Sequence, residues 1–110
     1  MFQEMMVNAG GGGTELNPTF KKNGSSLTFN AEVGKHYIVI GWNDSSSASL
    51  AYNRCDITSM TGGTYQILGR GYTSGSSHNS TITYSFVTAT ATSVSFTTNG
   101  SANVDIIQLD

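Results

Sequence analysis

Two histidines, His36 and His78, one cysteine, Cys55, and seven carboxylates are the side chains with reactive chemistry to offer in this chain. A hydrolase needs an activated nucleophile or a pair of carboxylates held at the scissile bond. The acids Glu4, Glu15, Glu32, Asp44, Asp56, Asp105 and Asp110 are spaced singly instead. Glu32, Asp56 and Asp105 fit the wet positions of alternating strands and are expected on solvated faces. Ser and Asp lie near both histidines, yet no Gly-x-Ser-x-Gly elbow marks a nucleophile, so no catalytic residue is assigned and the chain is read as a non-enzyme. Zinc wants four Cys or His ligands at characteristic spacing, which one Cys and two distant His do not supply. Asn43-Asp44-Ser45 with Asp56 offers oxygens to calcium but lacks the alternating acidic loop of a dedicated site, and reads better as a turn held by Asx side chains. The run Gly10 to Gly13 lacks the Lys and Ser/Thr of a phosphate loop. No metal and no cofactor is therefore assigned. Cys55 reads as a small buried hydrophobe, and alone it forms no internal disulfide. Sequons at Asn23, Asn43, Asn79 and Asn99 are close to the number that chance gives in so Ser/Thr-rich a chain.

Binding is the chemistry left. Saccharide sites on β-proteins set an aromatic platform against the apolar face of a sugar and short polar side chains against its hydroxyls. Trp42 stands at the end of an apolar run, directly before Asn43 and Asp44. Tyr72 and His78 flank a Gly/Ser-rich stretch from Thr73 to Ser77. The candidate ligand-binding residues are therefore Trp42, Asn43, Asp44, Tyr72 and His78. The competing reading, the commoner role for such a residue, makes Trp42 a cap on the core at the rim of the fold.

Strands must position these residues, because nearly every periodic stretch has a period of two. Leu27, Phe29, Ala31 and Val33 alternate with polar residues, and so do Val94 and Phe96. Ile82, Tyr84 and Phe86 alternate with Thr81, Thr83 and Ser85, which predicts a dry face for the first set and a wet face for the second. His36 to Trp42 is apolar on both faces and reads as a central strand. Thr64 to Leu68, Asn103 to Leu109 and, more weakly, Ser49 to Ile57 complete the set. Asn23-Gly24 predicts a two-residue hairpin pairing Phe20 with Leu27 and Pro18 with Phe29. Asn99-Gly100-Ser101 predicts a bulged hairpin pairing Phe96 with Val104 and Val94 with Ile106. Gly69 to Gly75 reads as a break. Seven or eight strands at short intervals with no helix between them imply an all-β, antiparallel two-sheet sandwich of jelly-roll or Greek-key type, with a closed barrel as the second choice. Residues 1–14 read as an N-terminal segment and Gly-rich linker, and 15–110 as the sandwich domain.

The composition narrows the partners. Of the 110 residues, 51 are Ser, Thr, Asn or Gly, the net charge is -2, and charged residues make up 11%, where about 25% is usual. A nucleic-acid reader needs clustered cations, so none is expected. Apolar runs stop at about four residues where a membrane helix needs roughly 20, so no membrane partner is expected either. Met1 to Val7 lacks the basic and apolar regions of a secretory signal, which predicts either a chain made in the cytoplasm or an excised piece of something longer.

Val33-Gly34-Lys35-His36-Tyr37-Ile38-Val39 and the ending from Thr98 to Leu109 resemble the small Ser/Thr/Gly-rich β-modules of tailed-phage and prophage virion proteins, found in tail fibres and baseplates. The resemblance covers about 80 residues in style and transfers no functional residue. It implies a homotrimer located in the virion tail or at an extracellular surface, in contact with host-surface glycans or other virion proteins. The alternative is a carbohydrate-binding domain of a secreted or cell-surface bacterial protein.

Overall fold

The computed structural model describes residues 21–46 and 50–110. Among them no helix forms. The strands are β1 (Lys21–Asn30), β2 (His36–Ser45), β3 (Ile57–Thr61), β4 (Gly63–Ser74), β5 (Asn79–Ala89) and β6 (Ser93–Gln108). All pair antiparallel in one sheet of order β1-β6-β2-β5-β4, with β3 on β6. The described residues are all-β, as the period-two patterning predicts.

The described strands number six because two expected turns lie inside strands and one expected strand is a loop. Asn23-Gly24 falls within β1, whose ladder to β6 shifts register on either side of Gly24. Phe20 and Pro18, its expected hairpin partners, lie outside the described residues. Asn99-Gly100-Ser101 likewise makes no hairpin: β6 runs through it for 16 residues. The ladder pairs Gly24 with Ala102 and Ser26 with Thr97, so residues 98–101 stand opposite Ser25 alone. The Asn-Gly tendency to leave the extended region is thus absorbed as a bulge. Loop backbone holds that bulge: Asn99 N–H donates to the Asp56 carbonyl at 2.9 Å and Gly100 N–H to that of Arg54 at 2.8 Å. A Cβ on Gly100 would lie 2.8 Å from Arg54 Cγ, so glycine permits the approach. Residues 50–56, expected as a weak strand, form these turns instead, and β3 starts at Ile57. Gly69 and Gly71, expected as a break, lie within β4, where a bulge between Ile67 and Gly69 shifts the register. Val33 is 62% exposed in the turn after β1 rather than in a strand.

β6 ties the fold together. Its first half pairs with β1 and β3, and its second half with β2. Phe29, Tyr37, Val39, Ile57, Val87, Ala89, Val94, Phe96, Ala102, Val104 and Ile106 form the core with Cys55. Phe29 meets Tyr37 and Phe96 edge-on, with centroids 5.2 and 6.3 Å apart, a favourable aromatic geometry. Gly62 turns β3 into β4 at φ 81°, and a Cβ there would lie 2.1 Å from the Ser93 carbonyl oxygen.

β5 reverses the expected faces. Thr81, Thr83 and Ser85 are buried at 3%, 1% and 1% exposure, while Tyr84 is 41% exposed. Segment 50–56 is the cause. It crosses the inner side of β5 and supplies acceptors: Thr81 Oγ1 donates to the Tyr52 carbonyl at 2.7 Å and Thr83 Oγ1 to Asp56 at 3.2 Å. Asp56 is likewise not on a solvated face. It is 9% exposed and paired to Arg70 through two hydrogen bonds of 2.7 and 2.5 Å. A buried hydroxyl with a partner costs little, so the apolar members of β5 are free to face outward.

Candidate functional site

Beyond Gly41 the outer face of β2 reaches Trp42, and the ladders set this residue in a row with Ile82 of β5 and Gly71 of β4. The next row is Asn43, Thr81 and Tyr72, and the third is Asp44, Ser80 and Thr73. These nine residues line a groove of about 460 Å³. Alternation decides what each row presents. The first and third rows point outward, so the indole, the Ile82 side chain and the polar groups of Asp44, Ser80 and Thr73 surround the opening.

The middle row points inward and fixes the floor from below. Asn43 Nδ2 donates to the Ser101 carbonyl at 2.7 Å, and Tyr72 Oη donates to that of Leu50 at 3.1 Å. The Tyr72 ring packs edge-on against Tyr52 with centroids 6.4 Å apart. Two of the five expected site residues thus have side-chain hydrogen bonds committed to the fold. Trp42 and Asp44 remain directed at the groove, with Trp42 36% exposed. His78 stands in the turn after β4, where Gly75 N–H donates to its carbonyl at 2.9 Å. Its Nε2 lies 3.6 Å from Asp44 Oδ2, with both side chains more than half exposed. Such an exposed pair contributes little stability, so both groups stay available to solvent or to a ligand.

The structure therefore brings all five sequence candidates to one end of the sheet. It adds Gly71, Thr73, Ser80 and Ile82, none of which stood out in sequence. Gly71 matters by what it lacks: a Cβ there would lie 3.0 Å from Ile82 Cγ2, so the slot beside Ile82 exists because no side chain fills it. The pairing of β4 with β5 across the Gly75 turn was the signal for these positions, and reading glycines 69–75 as a break concealed it. A second, smaller hollow of about 280 Å³ lies between Asn43, Asp44, Ser45, Leu50 and Arg54.

The cysteine and the other histidine lie elsewhere. Cys55 is 2% exposed, and burial pushes its thiol up to about 11, with Arg54 opposing and Asp56 adding to the rise. His36 is tied to Asp110 at 2.7 Å and stacks on Phe86. Among the described residues no three His, Cys, Asp or Glu side chains come together in a way that could hold a metal ion, and no helix is long and apolar enough to cross a membrane. Set against protein-family models, curated proteins and solved structures, the chain matches none.

Proposed function

We propose that the chain is a non-enzymatic binding module that takes a sugar ring of a surface glycan in the Trp42 groove. The carrying observation is the convergence of Trp42, Asp44, Ser80 and Thr73 around one opening of about 460 Å³, a volume suited to a small ligand. The indole supplies the platform for the apolar sugar face, and the outward polar row supplies partners for hydroxyls. Asp44 and His78, 3.6 Å apart and both exposed, add polar partners for hydroxyls at the rim. In architecture the proposal takes β1, β6 and β3 as one layer of a sandwich and β2, β5 and β4 as the other, joined through the long β6. In setting it takes the module as a phage or prophage tail appendage displayed toward the host surface.

The test is a glycan array followed by calorimetry on the hits. Trp42→Ala is expected to lose binding by at least about tenfold, the scale of one lost stacking contact of about 1.4 kcal/mol, while the far-ultraviolet spectrum and Tm stay near those of the parent. Gly71→Val is expected to lose binding too, by filling the slot beside Ile82. If the parent binds no glycan, or Trp42→Ala binds as well as the parent, the reading fails.

A further inference from the structure

β2 outruns one of its two neighbours. Its ladder to β6 ends at Trp42–Asn103, while its ladder to β5 continues to Ser45–Asn79. Past Trp42 the β6-side edge of β2 has no ladder, and the hollow of about 280 Å³ lies there, lined by Ser45, Leu50 and Arg54 together with Asn43 and Asp44. Asn43 and Asp44 also line the Trp42 groove, so the two openings meet along β2.

Arg54 is the charge in this hollow that the described residues leave unanswered. Its Nε donates to the Ser101 carbonyl at 3.2 Å, the same oxygen that Asn43 Nδ2 meets at 2.7 Å. One acceptor thus anchors both side chains. The guanidinium also lies close over Gly100, where a Cβ would stand 3.3 Å from Arg54 Cζ. Among the described residues no carboxylate comes within 4.0 Å of it. Arg70 is the contrast, its guanidinium closed on Asp56 by two hydrogen bonds. Asp44 has His78 beside it at 3.6 Å, so the uncompensated charge at the hollow is positive. With Nε committed, the two Nη groups of Arg54 form the fork that takes a carboxylate or phosphate. We propose, resting on the Trp42 reading, that the glycan runs on past Asp44 into this hollow, and that the ring seated there is an acidic sugar whose carboxylate or phosphate is held by Arg54. The volume is at the small end for ligand sites and suits one further ring. Asp44 between the openings takes hydroxyls and, as a like charge, keeps the acid group on the Arg54 side.

Matched oligosaccharides test this. Each set shares its neutral rings and ends in a hexose, the corresponding uronic acid or the corresponding sugar phosphate. In calorimetry at low salt the full chain is expected to bind an acidic member at least about tenfold tighter than the neutral one, the scale of one charge-assisted contact. That preference is expected to shrink as salt rises. Arg54→Gln is expected to bring the acidic members down to the affinity of the neutral one, whereas Trp42→Ala weakens all members alike. Should Arg54→Gln fail to fold, Arg54→Lys decides: a point charge in place of the fork is expected to cut the preference at least about threefold, and an unchanged preference overturns the proposal. Equal affinities of the parent for acidic and neutral members overturn it too and leave the Trp42 reading standing. So does an Arg54→Gln variant that keeps the preference. Displacement of the acidic member by an equal concentration of inorganic phosphate would also overturn it, since Arg54 would then be an anion site that takes no sugar. A parent that binds no member overturns both readings.

Discussion

At Trp42 the indole sits on the outer face of β2 with 36% of its surface exposed, in a row with Ile82 and with Gly71, whose missing side chain leaves room for a ligand. Cys55 shows the opposite use of a reactive side chain. Burial holds its thiol at about 11, so the thiolate needed for nucleophilic attack is scarce at neutral pH. The folded protein is expected to resist alkylation by iodoacetamide at pH 8 and to react at once in denaturant, as mass spectrometry would record; rapid labelling of the native chain would contradict the burial. Asp110 accepts hydrogen bonds from the His36 backbone N–H at 2.8 Å and from the ring at 2.7 Å. These bonds hold its carboxyl below the ordinary 3.8. A carboxylate with a lowered folded pKa stabilises the native state above the unfolded value, and that contribution disappears as pH falls through the folded one. Urea unfolding of Asp110→Asn should therefore show a weaker loss of stability than the parent on acidification below the ordinary carboxylate value, and parallel curves would refute the tie.

The element that most alters the reading of this chain is segment 50–56. Its carbonyls and Asp56 satisfy Thr81, Thr83, Asn99 N–H and Gly100 N–H, and its Tyr52 ring lies 5.6 Å from the Arg70 guanidinium carbon. Asp56 is the link between this segment, β4 and β5. Removing it leaves the Thr83 hydroxyl without its acceptor inside the fold, and a hydrogen bond to a charged group is worth about 2 kcal/mol. Asp56→Ala is expected to lower unfolding free energy by about that amount in denaturant titration, and Asp56→Asn, which keeps an acceptor, by less. A change within about 0.5 kcal/mol, the range of ordinary surface substitutions, would show the segment to be dispensable. The alternation Thr81-Ile82-Thr83-Tyr84-Ser85-Phe86 announced a strand but not which side faces the core, because a period of two is symmetric between faces. The polar set went inside once a loop distant in sequence brought acceptors to it.

Across the whole molecule, local chemistry and long-range contact divide the work. The sequence by itself determined an all-β chain, since alternation and a wealth of Gly, Asn, Ser and Thr leave no helical period. It also singled out Trp42, Asn43 and Asp44 at the end of an apolar run, and Tyr72 and His78 around a Gly/Ser-rich stretch. Only the tertiary structure decided that four of these five line one groove with His78 beside Asp44, because β4 meets β5 locally but β2 meets β5 through partners far apart in sequence, such as Trp42 and Ile82. It alone decided that Asn23-Gly24 and Asn99-Gly100 bend strands instead of ending them. A turn-forming pair chooses hairpin or bulge according to which strand lies alongside, and for Asn99-Gly100 that neighbour is held by the backbone of residues 54–56. The apolar outer face of β5 has the same origin: burial follows the partner that each face meets, and the partner is fixed only when the chain has closed on itself.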